Sequence, residues 1–390
     1  MSEPGHQHGR RFAAAHSVTP LELFFDLVFV FALTQVTTLL ADDLTWVGLL
    51  RGFGVLAVVW WAWGGYAWLT NTINIDDDVA SRLVLLIAMA AMLVVGLATP
   101  AAFGAYALLF GVAYFVVRVL HMLLYAVTTR SDPEVFGAVA RLAPGLLAGA
   151  SLILVAGFLP AGPVRGGLWI LAILVDFVAP FFAGTKGWKV DAGHFAERHS
   201  LIIIIALGES LIALGLSAAG EELTGGVIAA AALGVVVVAA MWWLYFDIVA
   251  VAAEQRLASL TGQAQARMAR DSYTYLHLPM VIGIVLVALG LKKTLLDIGS
   301  PLQLIVSLAL FGGLALYLLA HIVFRLRNTR TLNVQRLVAA IVLVLLIPAG
   351  VSLPALVSLG IVAGILVFLV GFETIRFREA RHRIRFHEHD

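Results

Sequence analysis

Runs of about twenty apolar residues recur twelve times along this 390-residue chain, and no other feature limits its fold so tightly. Twenty helical residues rise about 30 Å, enough to cross the hydrocarbon layer of a bilayer. The runs fall near residues 20–41, 46–69, 81–99, 103–127, 141–159, 164–183, 198–219, 224–246, 273–291, 301–323, 331–348 and 353–373. They predict an all-α fold, a polytopic transmembrane helix bundle of about 12 helices. A soluble core could not hide them, because 61% of the residues are hydrophobic and 13% are charged. Soluble domains carry roughly a quarter charged residues. The break between the fifth and sixth runs rests on Leu159-Pro160-Ala161-Gly162-Pro163, since paired prolines cannot continue a helix. The first run holds Glu22 and Asp26, which a signal-peptide core would lack, so it reads as a retained helix. The absence of cysteine excludes disulfides, thiolate metal sites and cysteine nucleophiles.

Charge placement gives the orientation. With twelve spans and both termini in the cytoplasm, only Arg165, Lys292 and Lys293 fall outside. Arg51 and Arg118 lie within spans, and every other lysine or arginine falls inside. The chain divides into a cytoplasmic tail (1–19), a first six-helix unit (20–183), a second (184–373) and a basic cytoplasmic tail (374–390) suited to anionic lipid headgroups. A six-plus-six internal repeat is expected from local echoes, such as Trp60-Trp61 against Trp242-Trp243 and His121 against His321. Small residues four apart, as in Gly48/Gly52, Gly145/Gly149 and Gly360/Gly364, let helices approach closely in lipid.

Ionisable residues inside apolar spans carry the functional information, because each must face the bundle interior or a watery cavity and find a partner. Glu22 and Asp26 are four apart on one face of the first helix, with Gln35 further along it. The fourth run carries Tyr114, Arg118, His121 and Tyr125 as one polar stripe, and Asp26 and Asp176 are the candidate partners of Arg118. Glu209, followed by Ser210, sits near the middle of the seventh run and is the strongest candidate for a titratable group. Asp76, Asp77 and Arg82 ahead of the third run, with Glu197, Arg198 and His199 ahead of the seventh, read as a cytoplasmic gate or as structural ties. The aromatic run Trp60, Trp61, Trp63, Tyr66 and Trp68 exceeds what an interfacial anchor needs, so part of it is expected to line a cavity.

The stretch Leu21-Glu22-Leu23-Phe24-Phe25-Asp26-Leu27-Val28-Phe29-Val30 resembles the opening signature of the bacterial low temperature requirement A family. Residues Asn71 to Arg82 resemble the family's Asn-containing, Asp-rich motif, although Asn74 stands where that pattern has an acid, which argues against cation binding there. His194-Phe195-Ala196-Glu197-Arg198-His199 and Ala206-Leu207-Gly208-Glu209-Ser210 resemble its second-half signature. The resemblance spans the chain and implies a multi-pass bacterial membrane protein linked to growth at low temperature; it supplies no substrate. Phe25-Asp26-Leu27-Val28-Phe29-Val30-Phe31-Ala32-Leu33-Thr34 also looks like the first-helix motif of endolysosomal-type potassium channels built from two six-helix repeats. The seventh run lacks the Phe-x-Asp element, so that likeness covers one half.

The expected function is a secondary transporter or proton-linked ion or solute pathway in the bacterial cytoplasmic (inner) membrane. The alternatives are a cation channel lined by the first and seventh helices and a lipid-interacting membrane enzyme or sensor. Phosphate loops, nucleophile elbows and dinucleotide fingerprints are missing in suitable contexts, so no enzyme activity, metal or cofactor is expected. The partners expected are the lipid bilayer and an unknown small solute or ion, without nucleic acid; homo-oligomerisation stays open.

Overall fold

The computed structural model describes residues 17–379 except 74, 76 and 77. Among these, eleven helical spans are long and apolar enough to cross a membrane. The first six are α1 (Pro20–Asp42), α2 (Trp46–Thr72), α3 (Val79–Ala98), α4 (Ala107–Thr129), α5 (Pro133–Phe158) and α6 (Pro163–Ala183). Then follow α7 (Ala192–Ala219), α8 (Gly225–Phe246) continuing into α9 (Val249–Ala258), and α10 (Gly262–Met268) continuing into α11 (His277–Leu296). Leu304–Ser307 (α12) leads into α13 (Gly313–Thr329), and after α14 (Val334–Leu345) and α15 (Ile347–Gly350) the bundle closes with α16 (Ala355–Arg376).

The sequence sets many of the starts. Thr19, Thr45, Asp78, Asp132, Asp191, Thr224 and Asn333 each accept a hydrogen bond from the first turn of the helix they precede. Pro20, Pro133 and Pro163 occupy first-turn positions, where a missing N–H costs nothing. Several helices outrun their apolar runs. The fifth begins at Pro133 rather than 141 and the seventh at Ala192 rather than 198, because polar residues extend a helix past the hydrocarbon edge. The twelfth expected span is altered. Residues 331–348 form only the 12-residue α14, about 18 Å long, and the chain turns at Leu346 before Pro348, which cannot continue the helix above it.

Helices α1 and α2 pack on α7 and α11. The span containing α11 and that containing α13 are the most buried, at 72% and 78%, against 22% for α6. Side chains such as Leu83, Ile87, Phe182 and Phe368 stay exposed on the bundle surface, where lipid would cover them. A Cβ on Gly283 would lie 2.7 Å from the Gly313 carbonyl oxygen, so only glycine lets α11 and α13 meet there. Gly145 and Gly149 likewise sit against Ala179 and Asp176 of α6, whereas Gly364 has open space around it. The expected six-helix repeat is not shown by the fold: Trp60 and Trp61 are buried, and their echoes Trp242 and Trp243 are exposed.

Candidate functional site

Helix α1 opens with a reciprocal cap: the Glu22 N–H donates to Thr19 Oγ1 at 3.3 Å and the Thr19 N–H donates to Glu22 Oε2 at 2.8 Å. The cap holds Glu22 one turn before Asp26, on the face turned to α7. On α7, Asp191 caps the helix by accepting from the His194 N–H, and Arg198 follows one turn later. Its Nη1 lies 3.0 Å from Glu22 Oε1 and its Nη2 2.8 Å from Asp26 Oδ1. All three side chains are 2% exposed or less. The Trp63 indole N–H donates to the same Asp26 oxygen at 2.9 Å, and Asp26 Oδ2 has no hydrogen-bond partner.

Asn71, at the end of α2, sets the protonation pattern beside this network. Its Oδ1 accepts from the Asp191 N–H at 3.0 Å and its Nδ2 donates to the Asp191 carbonyl at 2.9 Å, which fixes the amide orientation. The second Nδ2 hydrogen then points at His194 Nδ1, 3.1 Å away, making that nitrogen an acceptor. Nε2 is left with the proton and donates to Glu22 Oε2 at 3.1 Å. Glu22 and Asp26 both take the Arg198 guanidinium as their ion-pair partner.

A second buried group joins α4, α6 and α2. Arg118 Nη1 donates to the Trp61 carbonyl at 3.0 Å, and Nη2 stands 3.7 Å from Asp176 Oδ1, a loose ion pair. The Tyr114 hydroxyl donates to Asp176 Oδ2 at 3.2 Å. Of the two carboxylates open to Arg118 from sequence, Asp176 takes it, and Asp26 goes to Arg198. Arg118 and His121 border a cavity of about 70 Å³ walled by Trp61, Trp68, Tyr125, Trp188 and Tyr275. That is room for a few waters. Neither ring nitrogen of His121 has a hydrogen-bond partner, and Arg118 Nε lacks one too. The far wall comes from a π-helical turn, Ala269–Tyr275, which joins α10 to α11. Thr274 in that turn accepts from the Trp60 indole N–H through its carbonyl and from the Trp68 indole N–H through its hydroxyl, both at 2.9 Å. The same turn sets Arg270 on the cavity lining.

Glu209 lies apart from both groups. It is 1% exposed and neither carboxylate oxygen has a hydrogen-bond partner. Thr37 of α1 and Lys292 of α11 are the polar groups acting on it. Ser210 does not assist, because its hydroxyl donates to the Ala206 carbonyl of its own helix at 3.3 Å. Gln35 is half-buried on α1, about 13 Å along the axis from Asp26. His199 is fully buried among Trp63, Phe195, Tyr273 and His277, with its Nδ1 on the Phe195 carbonyl and no partner for Nε2. Glu197 is exposed and accepts from the Val18 N–H, and Arg82 is exposed. Asp76 and Asp77 lie outside the described residues. Among the described residues no group of three histidine, aspartate or glutamate side chains is placed to hold a metal ion.

The two halves of the acid network coincide with the two motifs of the chain, Glu22 and Asp26 in the first and His194 and Arg198 in the second. Residues 17–371 match the family described as bacterial low temperature requirement A protein (LtrA). This chain belongs to the LtrA family. It is also 32% identical over 311 residues to the uncharacterized protein RA0937 of Rhizobium meliloti (strain 1021), covering 76% of this chain and 74% of that one. No solved structure matches the chain. As an LtrA protein it is an integral multi-pass membrane protein with charged residues buried inside its bundle.

The roles of four residues of this LtrA chain were not legible in its sequence. Trp63 was visible only as one of an aromatic run, although its spacing within α2 could have marked a buried indole in need of an acceptor. Asn71 and His194 gave no reason to be paired, being 123 residues apart. Arg270 was counted with the cytoplasmic loop charges, and hydropathy carries no sign of the π turn that brings it to the cavity.

Proposed function

We propose that this LtrA protein is a proton-linked secondary transporter of a small solute rather than an enzyme, set in the bacterial cytoplasmic membrane with both termini inside. The observation that carries the reading is an imbalance of buried charge. Glu22, Asp26 and Asp176 are buried against only Arg118 and Arg198 within the two groups described, and the buried Glu209, which Lys292 acts on, has no ion pair among the described residues. Full ionisation would leave one excess negative charge in those groups and a charged Glu209 without a hydrogen-bond donor in a low-dielectric interior, which such sites avoid by holding protons. Glu209, with no hydrogen-bond partner, and Asp26, with one oxygen unpartnered, are where those protons sit. The solute occupies the aromatic cavity, where Arg118 and His121 present unpartnered polar atoms against Trp61 and Trp188. Because α1 and α7 meet through Arg198 and its two acids, loading or releasing a proton there changes how firmly the first unit grips the second.

The test is proton flux into proteoliposomes under an imposed gradient, read with a pH-sensitive dye, for the unchanged protein and Glu209→Gln. Flux that disappears in a variant unfolding at the same temperature supports the reading. Full flux in Glu209→Gln removes Glu209 from the pathway, and no proton flux in the unchanged protein overturns proton coupling altogether.

A further inference from the structure

We propose that the end of the bundle where α9, α10 and α13 meet binds a phosphate-bearing anion, either a lipid headgroup or a free phosphate ester. An open pocket of about 720 Å³ is lined there by Arg256, Arg267, Arg327 and Arg330, with Asn328 and Thr329 between them and no acidic side chain on its wall. Among the described residues only Arg327 of the four has a carboxylate partner, Asp271 at 2.9 Å. Like charges so gathered repel unless something anionic joins them.

Two independent features point to an occupant. Asn328 is 8% exposed; its Oδ1 accepts from the Ser272 hydroxyl at 2.5 Å, but its Nδ2, a buried donor, has no acceptor. Asn328 lines the pocket, so an anion drawn against its wall is a candidate acceptor. Arg330 is the only non-glycine among the described residues with a positive φ, at 56°, capping the C-terminus of α13. Glycine normally takes this left-handed position, and a residue with a Cβ is strained there. The strain is offset if the guanidinium is needed at the pocket rim.

The donor set selects the ligand chemistry. Guanidinium groups present planar pairs of N–H donors that match the oxygens of a phosphate, and four of them suit a tetrahedral anion better than a planar carboxylate. Depth admits either source. Helix α8 alone, Gly225–Phe246, is 22 residues or about 33 Å long, so α9 and its Arg256 follow a helix that already spans a hydrocarbon layer of about 30 Å. Headgroups and aqueous phosphates both reach that level, and basic pockets between transmembrane helices take anionic headgroups.

The experiment uses the full-length protein in a neutral detergent and follows thermal unfolding with added dioleoyl-phosphatidylglycerol, dioleoyl-phosphatidylcholine or glycerol 1-phosphate. Phosphatidylglycerol is expected to raise the midpoint and phosphatidylcholine to leave it unchanged. A matching rise with glycerol 1-phosphate assigns a free phosphate ester, and a rise with phosphatidylglycerol alone assigns the lipid. Arg330→Gly is expected to melt no lower than the unchanged protein without ligand, since glycine relieves the left-handed strain, and to bind about tenfold more weakly, the worth of one charge-assisted hydrogen bond. Arg267→Gln should weaken binding similarly without touching the backbone. Both variants keep the basic C-terminal tail. A midpoint rise that persists undiminished in both would place the anion elsewhere and overturn the pocket, as would no rise with either anion.

Discussion

Replacing Arg198 with methionine should destabilise the protein far more than removing either of its acids. The guanidinium lies 3.0 Å from Glu22 and 2.8 Å from Asp26, and all three side chains are buried. Breaking a buried ion pair by deleting one partner costs about 3–5 kcal/mol, because the other charge is left without compensation. Arg198→Met strands Glu22 and takes a donor from Asp26 as well, so the upper end of that range, about 5 kcal/mol, is expected. Asp26→Asn works in the opposite direction. Arg198 keeps Glu22, the Asn oxygen can still accept from the Trp63 indole, and the amide reproduces the uncharged form of Asp26. Its cost should be about 1 kcal/mol or less. The triple variant Glu22→Gln/Asp26→Asn/Arg198→Met should recover at least about 2 kcal/mol relative to the sum of its parts, since contacting residues are not additive. Equilibrium unfolding in mixed micelles of dodecyl maltoside and sodium dodecyl sulfate, followed by tryptophan fluorescence, measures each difference. Additive costs, or an Asp26→Asn as damaging as Arg198→Met, would refute the charge argument.

Three further outcomes test the remaining geometry. Gly65→Ala would put a Cβ 2.7 Å from His121 Cε1 and 3.2 Å from Arg118 Nη1, so solute flux should fall sharply for a stability cost of about 1–3 kcal/mol, read by transport and unfolding on the same preparation. Gly149→Ala would put a Cβ 2.3 Å from Asp176 Oδ1 and push that carboxylate off Arg118; Asp176→Ala relieves the overlap, so it should cost less stability in the Gly149→Ala background than in the unchanged protein, and equal costs would contradict this. The exposed Asp132–Lys189 pair lies outside the spans; their hydrogen bond lowers the Asp132 carboxyl below its ordinary 3.8 and raises the Lys189 ammonium above its ordinary 10.5. The lowered carboxyl stabilises above its unfolded value and loses that as pH falls through its folded one, and the raised ammonium loses its share only above 10.5, so Lys189→Met should move the extremes of a pH–stability profile and leave pH 5–9 flat.

Much of the bundle was legible in the residue order. Length and continuity of apolar runs leave a helix as the only way to satisfy the backbone in lipid, so element type and approximate place followed directly. Helix starts such as Thr19-Pro20 and Asp132-Pro133 were equally local, because a cap needs only its own first turn. Glu22, Asp26, Arg118 and Glu209 stood out because charge inside an apolar run is costly wherever the run ends up. Their pairings were a different matter. Helical periodicity fixes which residues share a face but not which helix that face meets, and only the packing of α1 on α7 gave Asp26 to Arg198, 172 residues away, leaving Asp176 to Arg118. The break before Pro348, the π turn that carries Arg270 and Thr274 to the cavity, and the tautomer that Asn71 selects for His194 likewise depend on contacts between distant segments. The sequence by itself determined that charge would be buried in a membrane bundle. Which charges are compensated, and that Glu209 has no hydrogen-bond partner, was decided by tertiary structure, because compensation is a matter of distance between side chains and not of order along the chain.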